Sequence, residues 1–161
     1  RKLKPKTPIP LPSNTTCSTI TCKYCKMIHI ANDIKSSAFG STIPTRTLCT
    51  ISCLTPNVIY CLTCMKCQSQ YVGETKRPIK RRMYEHLRNI QEHAKPGTHP
   101  TPVSLHFNDI CKRPAQLQFQ ILETVCGNTE DVSTTTRRKY REKWWILNLR
   151  SLDPLGINAT V

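Results

Sequence analysis

Asn57-Val-Ile-Tyr-Cys-Leu-Thr-Cys-Met-Lys-Cys-Gln-Ser-Gln-Tyr-Val-Gly-Glu-Thr75 is the stretch on which the fold turns. Val58 to Leu62 is a β-branched and aromatic run, and Gln70 to Gly73 is a second. They read as two strands of a hairpin whose connection carries Cys64 and Cys67. Pairing these strands would bring Tyr60 and Tyr71 together. Just downstream, Ile79, Met83, Leu87 and Ile90 recur at spacings of four, four and three, which predicts a helix from Arg77 to about His93 with Pro78 in its first turn. Arg82, His86, Asn89 and His93 share its neighbouring face.

Farther along, Gln116 to Leu122 alternates with period two, the mark of a half-buried strand. Asp131 to Arg150 reads as a second helix, opened by a Ser/Thr run and ending before Pro154. Tyr140, Trp144 and Leu147, with Trp145 and Leu149, are its apolar members. The order is strand, strand, helix, strand, helix. This predicts an α+β fold: a small antiparallel three-stranded sheet flanked by helices, spanning residues 57–161.

Upstream the texture changes. Residues 1–16 set Pro5, Pro8, Pro10 and Pro12 among lysines and threonines and read as a flexible linker. Residues 17–56 are rich in Ser, Thr and Cys and too poor in large apolar side chains to fold without a metal, so they read as a zinc-stapled module. An opening Arg rather than Met suggests a piece of a longer polypeptide.

Charge narrows the function. Lys plus Arg number 24 against 10 acidic residues, a formal net charge of +14, which points to a polyanion and first of all to nucleic acid. No run approaches the roughly 18 apolar residues of a membrane span, so no membrane partner is expected. Aromatic residues make up only 6% of the chain and do not interleave with the basic runs, which favours duplex DNA over single strands read by stacking. Phosphate contact is expected from Lys76, Arg77, Lys80, Arg81, Arg137, Arg138 and Lys139.

The 10 cysteines include two C-x2-C pairs, Cys22/Cys25 and Cys64/Cys67, a spacing that lets two thiolates share one tetrahedral Zn2+. Zinc implies a reducing compartment, whereas a disulfide framework would imply the opposite. Cys17, Cys22 and Cys25 are good ligands of a first site. Its fourth ligand is either Cys53 or His29, the latter giving a compact C-x4-C-x2-C-x3-H. Cys111 and Cys126 lack a ligand-spaced neighbour and read as ordinary thiols, and Cys49 and Cys61 as spare ones.

Taken together, Val58-Ile59-Tyr60, Tyr71-Val72-Gly73, Arg82 and His86 one turn apart, Glu142 and Asn158 resemble the GIY-YIG nucleases in order and spacing. The wording Pro102-Val-Ser-Leu-His-Phe-Asn, Arg141-Glu-Lys-Trp-Trp-Ile and Leu152-Asp-Pro-Leu-Gly-Ile-Asn, with Cys-x2-Cys between the tyrosine motifs, is similar to the C-terminal endonuclease of Penelope-like retroelements. Val58 departs from the family's glycine, at a position where backbone packs on backbone. The resemblance implies a Mg2+-dependent DNA endonuclease whose nick primes reverse transcription, located in the nucleus. Its implied partners are duplex DNA, template RNA and the reverse transcriptase portion of the same polypeptide.

It also implies the roles. Glu142 holds one Mg2+, Arg82 offers a phosphate a fixed guanidinium fork, and one of Tyr60 and Tyr71 positions or deprotonates the attacking water. His86 is a proton relay or phosphate ligand, Asn158 an orienting residue, and Gly73 a position whose missing Cβ lets backbone approach closely. A second structural zinc site is implied at Cys64, Cys67, His99 and His106, with His93 competing for the place of His99. The family pattern favours Cys53 in the first. The rival reading is a zinc-dependent nucleic-acid-binding module without catalysis, which tethers a polymerase.

Overall fold

In the computed structural model, the described residues are 17, 22–47, 50–93, 95–97, 99–111 and 116–161. The linker assigned to residues 1–16, and Cys49, lie outside them. The chain forms α1 (Lys23–Met27), β1 (Ile28–His29), β2 (Asp33–Lys35), β3 (Thr42–Pro44), β4 (Val58–Cys64), β5 (Gln70–Thr75), α2 (Ile79–Gln91), α3 (Pro102–Leu105), a π-helical turn (His106–Ile110), β6 (Leu117–Thr124) and α4 (Val132–Leu149).

The main sheet has the order β1-β6-β4-β5. Strand β4 pairs antiparallel with β5 and β6, giving the expected three-stranded core, and the two-residue β1 adds to β6 in parallel. As the inner strand of that core, β4 is buried along its whole length, which is why its sequence is apolar without alternation. Its side chains still alternate between faces. Val58, Tyr60, Leu62 and Cys64 enter a core with Ile79, Met83 and Ile90 of α2. Ile59 and Cys61 meet Trp145, Ile146 and Leu149 of α4 on the other face. The helices thus cover opposite faces, and β5 is left as the edge strand beside both. No described helix is long and apolar enough to cross a membrane.

Both long helices match the expected segments with altered faces. In α2 the buried residues are Ile79, Met83, His86 and Ile90, so His86 takes the place expected for Leu87, which is half-buried. In α4, Tyr140 and Leu147 are exposed, while Thr134, Arg138, Trp145, Ile146 and Leu149 face the sheet. Asp131 caps its N-terminus through Ser133 N–H, and Arg150 closes it in the left-handed region at φ 55°.

Residues upstream of Asn57 are woven into the same body. Besides β1, they contribute Ile51 to the α2-side core and Ile34 to the α4-side core, and β2 and β3 form a separate small hairpin.

Candidate active site and two cysteine clusters

The β4–β5 register sets Tyr60 opposite Gly73 and Leu62 opposite Tyr71. A Cβ on Gly73 would lie 2.6 Å from Tyr60 Cζ and 3.0 Å from Tyr71 Cε1, so only glycine lets the Tyr60 ring lie across the strand. The fully buried Tyr60 hydroxyl accepts a hydrogen bond from Arg82 Nε at 2.9 Å and contacts His86 Nε2 at 2.8 Å. Burial, and then the Arg82 charge, lower the His86 pKa to about 3. The imidazole is therefore neutral, and in the tautomer with Nε2 unprotonated it accepts a hydrogen bond from the Tyr60 O–H. Burial also pushes the Tyr60 phenol well above its ordinary range. Tyr71 is half-buried, stacked edge-on against His86 at 5.6 Å, and shifted upward by burial while Arg82 opposes the shift. Arg82 is steadied further by Glu85 at 3.2 Å.

Glu142 approaches the same edge from the other face of the sheet. Burial and then the Glu74 carboxylate raise its pKa to about 7. Arg82 and Arg138 pull it the other way. Glu74, one residue past Gly73, stands beside it. The first half of the open backbone edge of β5 finds partners in the C-terminal segment. Asn158 brackets Val72, accepting from its N–H at 2.9 Å and donating to its C=O at 2.8 Å, and Ile157 N–H donates to Gln70 C=O at 2.8 Å. Ser151 holds the Asn158 amide at 2.7 Å. Asn158 therefore fixes the backbone between Tyr71 and Gly73.

Beside this edge opens a cleft of about 370 Å³ lined by Glu74, Thr75, Lys76, Arg77, Arg82 and Arg138. Of the cations expected to touch phosphate, Lys80, Arg81 and Lys139 are exposed, Lys76 pairs with Glu130 at 3.1 Å and Arg77 with Glu85 at 2.6 Å. Arg137 is exposed and donates to the Cys126 carbonyl. Arg138 differs from these: it is 2% exposed at the floor of the cleft and its guanidinium is committed to Glu74 and Asn57.

The Sγ atoms of Cys17, Cys22, Cys25 and Cys53 all lie within 4.8 Å of one another, with Cys22 to Cys53 at 3.6 Å and Cys17 to Cys25 at 3.7 Å. A tetrahedral Zn2+ with Zn–S bonds of about 2.3 Å sets sulfurs about 3.8 Å apart, so this set fits that ion. His29 is exposed on β1 and stands outside the group. A second group joins Cys64, Cys67, His106 and Cys111, with Cys64 to Cys111 at 3.5 Å, Cys67 to Cys111 at 3.3 Å and Cys67 to His106 Nε2 at 3.3 Å. Here Cys111 stands where His99 was expected, so Cys111 is not an isolated thiol. His99 is exposed in the loop before α3. His93 is engaged by Ser104 at 3.2 Å and Asp109 at 3.5 Å. The π-helical turn explains the exchange. Its Cys111 N–H to His106 C=O bond of 2.8 Å closes an i to i+5 loop that brings both side chains to one place. Cys126 is exposed and apart from both groups, and Cys61 is buried against Leu62 and Thr63.

A guanidinium, two phenols and a part-buried carboxylate converging on a sheet edge, on a chain of charge +14, define a nuclease domain. The family model described as the GIY-YIG catalytic domain matches residues 56–151, and the chain belongs to that family. Among solved structures, the catalytic domain of homing endonuclease I-TevI is similar, with a TM-score of 0.48 and 21% identity over 65% of this chain and 98% of that one. No relative was found among curated proteins.

Proposed function

We propose that the chain is a Mg2+-dependent endonuclease that nicks duplex DNA for a retroelement, leaving a 3′-OH from which the reverse transcriptase portion of a longer polypeptide copies its template RNA in the nucleus. The observation that carries the nuclease chemistry is the convergence of Tyr60, Arg82 and His86 from one face of the sheet with Glu142 from the other, about the backbone of Gly73.

The donor set suits a hard divalent cation. Glu142 offers a carboxylate beside that of Glu74, burial and this second carboxylate disfavour its charge in the absence of a cation, and Mg2+ takes one or two carboxylates and keeps the rest of its shell for water and phosphate. Once bound there, Mg2+ supplies stabilisation of charge on the phosphate and the leaving oxygen. The protein's own residues do the rest. Arg82 aims its guanidinium at the cleft and stabilises the negative charge that builds on the phosphate. Tyr71, the less buried of the two phenols, is the one placed to order the attacking water. Tyr60 is enclosed, and its hydrogen bonds to Arg82 and His86 hold the guanidinium in place. The two four-ligand clusters are closed structural Zn2+ sites. The retroelement assignment is supported by Cys64-x2-Cys67 between the two tyrosine motifs and by the fused upstream cluster.

The test is nicking of supercoiled plasmid with Mg2+, comparing the chain with Glu142→Ala at equal zinc content. Open-circle product only with the carboxylate supports the reading. Binding without cutting by both proteins would instead support a non-catalytic nucleic-acid-binding module.

A further inference from the structure

We propose that Arg138 is a positioning residue for the candidate active site: by bridging Glu74 on β5 and Asn57 at the foot of β4, it sets the roll of α4 that holds Glu142 beside Glu74 at the sheet edge. This rests on reading Glu142 as the cation ligand.

The side chain of Arg138 is buried, its Nη1 donating to Asn57 Oδ1 at 2.9 Å and its Nε pairing with the Glu74 carboxylate. Asn57 is itself a fixed post. It sits in the left-handed region at φ 51°, donates through Nδ2 to Gly127 C=O at 3.1 Å, and accepts at its own C=O from Val125 N–H at 2.8 Å. One guanidinium therefore ties α4 to β5, to β4 and to the strand end of β6. A second tether, one turn along the helix, runs to the strand on the other side of β4, where Arg141 grips Glu123 of β6 with bonds of 2.8 and 2.9 Å. Tethers to strands on either side of β4 resist rotation about the helix axis, which apolar packing by Trp145 and Leu149 alone would leave softer. Glu142 lies one turn after Arg138 on the same side, so the Arg138 tether is the one that governs where its carboxylate points. Burying a guanidinium carries a large desolvation cost, and phosphate binding would not require it, because Arg137 and Lys139 on either side stay exposed. Both contacts use the planar fork, which a lysine does not reproduce.

Two variants test this in zinc-loaded protein: Arg138→Lys, which keeps the charge, and Asn57→Gly, which keeps the backbone conformation and removes only the post. Mn2+ binding to the protein alone is measured by electron paramagnetic resonance, with Glu142→Ala as the blank, beside duplex affinity against salt and nicking rates. The expected result is a Mn2+ half-saturation raised at least tenfold in Arg138→Lys and several-fold in Asn57→Gly, with duplex affinity and salt slope within twofold of the unaltered chain. Unchanged Mn2+ binding with a salt slope lowered by about one would make Arg138 a phosphate contact and overturn the proposal. So would normal Mn2+ binding by Asn57→Gly, since Arg138 would then only neutralise Glu74. If the unaltered chain binds Mn2+ at Glu142 but never nicks, the nuclease reading fails while the Mn2+ comparison still decides the role of Arg138. If it binds no Mn2+ above the blank, both fall.

Discussion

Replacing Gly73 with alanine adds one methyl group where the structure has no room for it. The new Cβ would stand 2.6 Å from Tyr60 Cζ and 3.0 Å from Tyr71 Cε1. Tyr60 cannot move aside cheaply. It is fully buried and held at its hydroxyl by Arg82 and His86. Overpacking of this kind costs about 1–3 kcal/mol, and freeing the hydroxyl from a charged donor costs a similar amount, so about 3 kcal/mol is expected in sum. For a domain of this size that corresponds to a fall of about 6–12 °C in melting temperature. Activity should fall further than stability, because the ring that yields is the one that holds Arg82. The assay is a thermal melt of zinc-loaded protein beside plasmid nicking well below the variant's melting temperature, where both proteins are folded. A Gly73→Ala protein that melts and nicks like the unaltered chain would refute the argument that Tyr60 is pinned across the strand.

Cys111→Ser should lower zinc content from two ions per chain to one, measured by atomic absorption, whereas His99→Ala should leave it at two; the reverse pattern would restore the histidine to the second site. His86 is held neutral, with a pKa near 3 against 6.5 when unfolded, so its contribution is intact above pH 6.5 and is lost as pH falls toward 3. Stability should drop by about 1.4 kcal/mol per pH unit in that window, and urea titrations at pH 6 and pH 4.5 should show a smaller drop in His86→Gln. Lys80→Ala and Arg81→Ala should each reduce the slope of log affinity against log salt by about one without changing sequence preference. An unchanged slope would remove that face of α2 from the DNA interface.

The hairpin and both long helices were legible because their signals are local. Alternating or continuous apolar runs, a Pro in a first turn and an Asp cap each act within a few residues. What the sequence concealed depends on partners far along the chain. Arg138 sits in a basic string that reads as a solvated face, but the residues that bury it, Glu74 and Asn57, lie 64 and 81 positions away. In α2, His86 and Leu87 compete for one stripe, and the choice falls to His86 because the buried Tyr60 hydroxyl opposite needs a partner. Cys111 was hidden by a change of helical pitch. Spacing of five puts two side chains on different sides of an α-helix and together on a π-turn, and nothing in His106-Phe-Asn-Asp-Ile announces that pitch.

The two cysteine clusters stand at the ends of the elements that carry the candidate site, which would give bound metals a role beyond compensating for a thin core. Pro78, at the start of α2, offers no side-chain cap, and the first N–H groups of the helix instead find main-chain carbonyls: Ile79 N–H donates to Thr55 at 3.1 Å and Lys80 N–H to Cys53 at 2.9 Å. The segment that caps the helix bearing Arg82 and His86 is thus the one that supplies a ligand to the first cluster. Cys64 of the second cluster is the last residue of β4, the strand that carries Tyr60, and Cys67 lies in the turn leading to β5 and Tyr71. A structural zinc contributes on the order of 10 kcal/mol where it binds. Spent at these two ends, that free energy would order the start of α2 and the turn end of the hairpin. Those are the places from which Arg82, His86, Tyr60 and Tyr71 take their positions, so metals bound there would staple the fold and hold the candidate site in register together.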